Sequence, residues 1–221
     1  KIGDYKTAPN QLTQTTFTPA HREMSGWLTR DMFEQLVRGI AEGRRTFANT
    51  LKYIQITISA NFGNMVSMAL ATPLLPFLPL TATQLLLNTF LSDLPSMAIS
   101  TDRVDATQLR HAQRWHLGDV RRFMIVFGLV SSAFDLLTFA LLYFAFDAGE
   151  SLFHSGWFVV SLLTELAVVL VLRTHGWSWR SRPSVLLVWT TAAVAALAVA
   201  LPYVALAQRW FGFVPLPPAL L

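Results

Sequence analysis

The sequence predicts an all-α membrane protein in which five transmembrane helices follow an amphipathic cytoplasmic stalk helix. Hydrophobic residues make up 53% and charged residues 14% of the 221 residues, whereas soluble domains carry about 25% charged residues. The mean hydropathy is +0.44. This composition argues against a soluble enzyme and indicates a lipid bilayer as the surrounding medium. The net charge of +4 comes from bases between apolar runs, so we expect no nucleic-acid partner.

Five apolar stretches are long enough to cross the hydrocarbon core, which takes about 20 residues of helix. The stretches are residues 54–72, 77–99, 123–146, 155–172 and 184–207. The first and last contain no charged residue, and the middle three contain one acid each, Asp93, Asp135 and Glu165.

The basic residues predict the orientation of these spans. Most of the 17 Lys and Arg residues lie in three segments, 38–52, 103–122 and 173–182. Because cytoplasmic loops carry an excess of Lys and Arg, we place these segments in the cytoplasm of a bacterial cell. The N-terminus is then cytoplasmic, and the chain is a multi-pass protein of the plasma membrane.

Three regions follow from the changes in composition. Residues 1–30 are rich in Thr, Gln, Asn and Pro, and we expect a weakly structured cytoplasmic tail. Residues 31–53 repeat apolar side chains near helical spacing, which predicts the stalk helix, or alternatively a helix on the membrane surface. Residues 54–218 are predicted to form the transmembrane bundle.

Polar side chains in the first two spans suggest a cation site. Asn61 and Asn64 lie three residues apart and so share one helix face. In the second span Asp93 precedes Pro95, and we expect a break in the helix there because a proline frees backbone carbonyls of the preceding turn. Carboxylate, amide and carbonyl oxygens are the ligands of hard cations such as Mg²⁺. We therefore name Asn61, Asn64 and Asp93 as candidate metal ligands, with Asn88 and Ser92 as further candidates.

Hydrogen bonding between helices is the alternative role for these side chains, and membrane proteins use it routinely. For Asp135 and Glu165 we favour this structural role over a place on an ion path. Trp157 lies near the end of a predicted span and is interpreted as an anchor at the membrane interface.

Five segments carry a family resemblance: EGRRTFANTLKYIQITISANFGNM, LLLNTFLSDLPSMAISTDRVD, RRFMIVFGLVSSAFDLLTFALLYF, FHSGWFVVSLLTELAVVLVLRT and PLPP. In this order they strongly resemble the C-terminal membrane region of P-type cation-transporting ATPases, especially the bacterial magnesium-transporting branch. The resemblance covers residues 33–218. It implies that the five spans correspond to the family's fifth to ninth transmembrane helices.

The resemblance also implies cation ligands at Asn61, Asn64 and Asp93, with Mg²⁺ as the transported ion. Relatives commonly have an asparagine four residues before the aspartate, whereas this sequence has Thr89 there, next to Asn88. This difference leaves the ion preference open.

The parts of the family that hydrolyse ATP do not occur in this sequence. It has no DKTG or TGES motif, and the nucleotide-binding domain and the first four helices of the family have no counterpart. We expect no ATP site in this chain and no ATP hydrolysis by this chain alone. The chain begins with Lys1, and we expect it to be a piece of a longer protein.

The leading hypothesis is the cation-translocating part of a magnesium-type pump, with the remaining pump domains as partners in the same or a separate polypeptide. Two alternatives remain. The chain is a non-enzymatic membrane subunit or regulator of a pump, or it is an inactive fragment.

Overall fold

The computed structural model describes residues 16–104, 109, 114–174 and 182–220. Within these residues the chain is helical and has no strand, which confirms the all-α prediction. The α-helices are α1 (Pro19–Ala71), α2 (Ala82–Ala98), α3 (Leu117–Ala140), α4 (Glu150–Leu172), α5 (Val185–Ala200) and α6 (Ala205–Phe211). A π-helical turn, Leu141–Ala145, extends α3, and 3₁₀ turns follow α2 (Ile99–Thr101) and α5 (Leu201–Tyr203).

The chain divides into two compact units, Lys1–Arg45 and Thr46–Leu221. In the first unit, the helix begins at Pro19 rather than at the predicted residue 31. Thr18 explains the start, because its hydroxyl accepts a hydrogen bond from the backbone N–H of His21 (3.2 Å), as an N-cap side chain does. The predicted weakly structured tail is therefore wrong from Pro19 onward, and residues 1–15 lie outside the described residues.

The second unit begins with the remainder of α1 and a connection that the sequence analysis made too short. We predicted a loop at 73–76 and a span from residue 77, but α2 begins at Ala82. Prolines in the connection lack the backbone N–H that a helix needs. Thr81 and Gln84 then form a capping box, in which each side chain accepts the other's backbone N–H.

Helix α4 forms the centre of the second unit. Its side chains Phe153, Trp157, Phe158 and Leu162 are fully buried. They belong to one apolar cluster that also takes in residues of α2, α3 and α5. Lipid tails are as apolar as these side chains, so close packing and hydrogen bonds hold such a bundle together rather than exclusion of water.

Helices α1 and α3 approach each other at two glycines. A methyl group added to Gly128 would lie 2.5 Å from the Phe62 ring and 3.3 Å from the Ser59 carbonyl oxygen. One added to Gly63 would lie 3.0 Å from Ser131 Cβ. The absence of a side chain at both positions lets the two backbones come close, as small residues do between membrane helices.

At one end of the bundle, residues from three segments predicted to be cytoplasmic meet. Asp102 and Arg173 form a buried ion pair (3.4 Å), and Asp102 also accepts a hydrogen bond from the backbone of Ser184 (3.1 Å). The side-chain amide of Asn49 donates to the carbonyl of Asp102 (2.9 Å), and Lys52 donates to that of Arg103 (3.4 Å). This convergence supports the predicted alternation of the helices, while the side of the membrane stays a prediction.

The connections assigned to the far side converge at the other end. The His154 ring bonds the carbonyl of Leu78 (2.6 Å), and the Ser155 hydroxyl accepts the backbone N–H of Val214 (2.8 Å). The connection after α1, the start of α4 and the C-terminal segment therefore lie together.

Three described helical segments are long and apolar enough to cross a membrane: Leu117–Ala145, Glu150–Leu172 and Val185–Tyr203. They coincide with the last three predicted spans. The first predicted span carries several hydroxyl and amide side chains, and α2 has 17 residues. Membrane-capable helices are thus confirmed, and the count of five stays a prediction.

Candidate functional site

A cavity of about 230 Å³ lies between α1, α2, α3 and α4. Because a water molecule takes up about 30 Å³ of liquid, this space is large enough for several water molecules. The α3 side is mainly apolar, with Phe127, Val130 and Phe134. Helix α3 contributes one polar side chain, Ser131. The other polar side chains come from the remaining three helices, and they are Thr57, Ser59, Asn61, Ser92, Asp93, Ser96, Thr164 and Glu165.

Two of the three predicted ligands line this cavity. Asn61 is contributed by α1 and is exposed, and Asp93 is contributed by α2 and is half-buried. Ser92, a further candidate, lies beside Asp93 in the lining. The fold therefore brings together side chains of two helices that the sequence analysis assigned to one site.

The third predicted ligand, Asn64, faces a different partner. It is 5% exposed, and its side-chain N–H donates to Oε1 of Glu165 (2.5 Å). Asn88 is fully buried and its side-chain N–H points to the same oxygen (3.4 Å). Glu165 thus links the buried pair Asn64 and Asn88 to the cavity that contains Asn61 and Asp93.

Asn61 and Asn64 were predicted to present their amide oxygens together, whereas in the structure the two side chains have different surroundings. Three residues correspond to about 300° of helix rotation, so the two side chains point in directions about 60° apart. Because of this angle, Asn61 is exposed and lines the cavity, whereas Asn64 is buried and packs against α4.

Pro95 does not break α2, contrary to the predicted interruption. The helix runs through it to Ala98. Pro95 has no N–H to give to the carbonyl of Leu91, and the carbonyl of Ser92 accepts the hydroxyl of Ser96 (2.9 Å). The freed oxygen therefore lies within a continuous helix rather than in an unwound segment.

Asp135 is buried at 4% exposure and accepts one hydrogen bond on each oxygen. Ser67 of α1 donates to Oδ2 (2.7 Å), and the Trp157 indole N–H of α4 donates to Oδ1 (3.0 Å). Trp157 is fully buried, so its interpretation as an interface anchor is wrong. Ser67 and Trp157 were not recognised from the sequence as partners of Asp135. Ser67 could have been considered, because it lies three residues after Asn64 on a neighbouring part of the same helix face.

Several buried oxygens near the cavity lack a hydrogen-bond partner among the described residues. They are Oε2 of Glu165, Oδ1 of Asn88 and the hydroxyl of Thr57. Such atoms are costly unless something satisfies them. The described residues contain no group of three or more His, Cys, Asp and Glu side chains suited to a metal. A cation here would rely on single carboxylates, amides, hydroxyls and retained water, a donor set that fits Mg²⁺.

A bundle of apolar helices with acidic side chains beside an internal cavity is typical of one class, the polytopic membrane proteins that move ions or polar solutes. Comparison with known proteins specifies it further. Residues 77–221 match the family model described as "Cation transporting ATPase, C-terminus". The chain therefore belongs to the cation-transporting P-type ATPases, and it corresponds to their C-terminal membrane region, as the sequence resemblance indicated.

Among its relatives are proteins named "Magnesium-transporting ATPase, P-type 1". The chain is 44% identical to the one of Salmonella typhimurium (strain LT2) over 178 residues, which are 78% of this chain and 20% of the relative. The one of Escherichia coli (strain K12) is 45% identical over the same shares. "Calcium-transporting ATPase 1" of Bacillus cereus is 30% identical over 117 residues, 51% of this chain and 13% of the relative. The chain thus spans about a fifth of the length of the magnesium-transporting relatives.

Proposed function

We propose that this chain is the cation-translocating membrane part of a magnesium-transporting P-type ATPase, with Asn61, Asn64 and Asp93 as ligands of the transported ion. The observation that carries the proposal is the cavity, where Asn61 of α1, Asp93 of α2 and Glu165 of α4 line one space. The names of the relatives support magnesium as the ion.

The charges in the bundle fit a visiting cation. The three acids within the predicted spans have no Lys or Arg in those spans. Asp93 and Glu165 both line the cavity, and a cation between them would supply the missing positive charge. Magnesium keeps several waters and needs only one or two carboxylates, so two acids with amide and hydroxyl neighbours are sufficient.

The proposed ligands lie on separate helices, so movement of one helix can change ion binding. Asn61 belongs to α1 and Asp93 to α2, so a small shift of one helix against the other changes whether both oxygens reach one ion. In the complete pump, such a shift would be coupled to phosphorylation in domains outside these 221 residues. ATP hydrolysis, and the remaining helices, would be supplied by those partners.

The same proposal includes the finer topology. Five spans cross the bacterial plasma membrane, and the N-terminal side of α1 faces the cytoplasm. The buried contacts of Asn49, Asp102 and Arg173 support this arrangement because they gather three basic segments at one end.

A chimera tests the function. This chain would replace the matching C-terminal region of the Salmonella typhimurium magnesium-transporting ATPase, and magnesium uptake would be measured in cells that lack their own transporters. We expect uptake that depends on the phosphorylated pump. A stable, membrane-inserted chimera without uptake would favour an inactive fragment or a regulator instead.

A further inference from the structure

Asp135 and Glu165, the two buried acids within the predicted spans, differ in how their oxygens are satisfied. In Asp135 each oxygen accepts a hydrogen bond, one from Ser67 and one from Trp157. In Glu165 one oxygen accepts from two amides and the other has no partner among the described residues. Asp135 does not line the cavity, whereas Glu165 does. The surroundings of Asp135 are therefore complete without an ion.

We propose that Asp135 is a positioning residue that holds α1 in register with α3 and α4, so that Asn64 stays opposite Glu165. The inference rests on the proposed function, because it concerns the geometry of that site. It assigns Asp135 to the support of the ligands and excludes it from the ion path.

The contacts of Asp135 connect the helices that carry the site. Its partner on α1, Ser67, lies one turn after Asn64, and its partner on α4, Trp157, lies about two turns before Glu165. One carboxyl group on α3 thus fixes the same two helices whose side chains meet at the Asn64–Glu165 contact. The register of that contact depends on the Asp135 bonds because residues one or two turns apart on a helix move together.

A second contact between α1 and α3 also supports a fixed position of α1 beside α3. The hydroxyl of Ser132 donates to the carbonyl of Gly63 (3.0 Å), directly beside Asn64. A methyl group added to Gly63 would lie 3.0 Å from Ser131 Cβ and 3.2 Å from the Gly128 carbonyl oxygen, so the two helices are in close contact here. The segment of α1 that carries Asn64 is therefore held against α3 on both sides of the ligand.

Hydrogen-bond geometry, and not charge, is what this role requires. Asparagine at position 135 keeps an oxygen to accept from Trp157 and offers an N–H to the hydroxyl oxygen of Ser67. Leucine has a similar volume and makes neither bond. If Asp135 were instead a carboxylate on the ion path, Asp135→Asn would impair transport strongly, because asparagine removes the charge.

The test compares Asp135→Asn with Asp135→Leu in the complete pump, with Asp93→Asn as the reference for loss of a ligand charge. Apparent magnesium affinity and maximal transport rate are measured separately. We expect Asp135→Asn to stay within about twofold of the wild type, and Asp135→Leu to weaken apparent affinity about tenfold, the effect of losing one or two ordinary hydrogen bonds. The expected maximal rate of Asp135→Leu falls less than its affinity, which a general loss of folded protein would not produce.

Equal damage by Asp135→Asn and Asp135→Leu would overturn the inference, since charge would then be what matters. No effect of either variant would also overturn it. If Asp135→Leu does not accumulate in the membrane, Ser67→Ala and Trp157→Phe remove one bond each and are expected to weaken affinity by smaller factors; unchanged affinity in both would contradict the proposal. Failure of the proposed function itself is recognised separately, because Asp93→Asn would then leave transport unchanged.

Discussion

Glu165 is the residue whose interpretation the structure changes most. A structural role was predicted for Glu165, because the acid follows hydroxyl residues within a predicted span. In the fold it meets two amides that the same analysis named as ligands, Asn64 and Asn88, and it also lines the cavity. A contact between residues so far apart in the sequence cannot be read from local spacing, because it depends on how α1, α2 and α4 pack.

Replacement of Glu165 by Gln tests whether its charge serves the ion. Gln keeps the oxygen that accepts from Asn64 and Asn88 but removes the negative charge. We expect Glu165→Gln to weaken apparent magnesium affinity about tenfold or more in transport assays of the complete pump, while the protein stays folded, which is within the range for groups around a metal site.

Glu150→Gln is the matched control, because Glu150 is exposed at the start of α4 and should leave affinity unchanged. Wild-type affinity in Glu165→Gln would show that the acid only bonds neighbouring helices.

At the scale of elements, the close approach of α1 and α3 sets the position of the α1 ligands. Gly128 lies against the Phe62 ring and the Ser59 carbonyl, in the stretch of α1 that also carries Asn61. Added volume at this contact would push α1 away from α3, and both the bundle and the cavity would be disturbed.

We predict that Gly128→Ala lowers the free energy of unfolding by about 1–3 kcal/mol, the usual cost of forcing an extra carbon into a packed interface. Thermal unfolding of the purified protein in detergent measures this. Gly118→Ala is the control. Gly118 is also helical, but among the described residues no atom outside its own stretch of helix lies within 4 Å of the added carbon, and the stability of this variant should be equal to or above that of the wild type. Equal melting of both variants would show that α1 and α3 are not tightly packed.

The start of α2 and the course of α2 through Pro95 were predicted incorrectly from the sequence, for physical reasons that the structure shows. The start of α2 was missed because apolar residues continue through the connection, while the capping pair Thr81 and Gln84 fixes the helix start. Pro95 was expected to interrupt α2, but a helix tolerates one missing bond when a nearby hydroxyl, here that of Ser96, satisfies a carbonyl of the affected turn.

For the whole molecule, the account predicts that the two ends of the bundle face opposite sides of the membrane. The chain contains no Cys, so single cysteines can be introduced without background from this chain. We expect Thr72→Cys and Gly149→Cys, in exposed connections at one end, to react with a membrane-impermeant thiol reagent on intact cells. Ser100→Cys, exposed after α2, should react only after permeabilisation.

Labelling of Thr72→Cys and Ser100→Cys from the same side would contradict a transmembrane α2. The prediction of five spans would then also be wrong. Helix α2 is one of the two predicted spans that length and composition alone do not establish as membrane-crossing.

Much of the architecture could be predicted from the sequence because hydropathy and charge act over whole segments. The all-helical fold and the last three membrane-capable helices follow from such averages. The family was indicated instead by the resemblance of specific sequence segments. The partners of individual buried side chains could not be predicted in this way. The contact of Trp157 with Asp135 and that of Asn64 with Glu165 arise from helix rotations, which composition does not specify.

The most direct test of the central proposal is Asp93→Asn in the complete pump, with Asp119→Asn at the exposed start of α3 as control. Magnesium transport and magnesium-stimulated turnover of the phosphorylated pump are measured together. The account predicts that Asp93→Asn loses most of both, while Asp119→Asn behaves as the wild type. Unchanged transport and turnover in Asp93→Asn would contradict a cation site between α1 and α2.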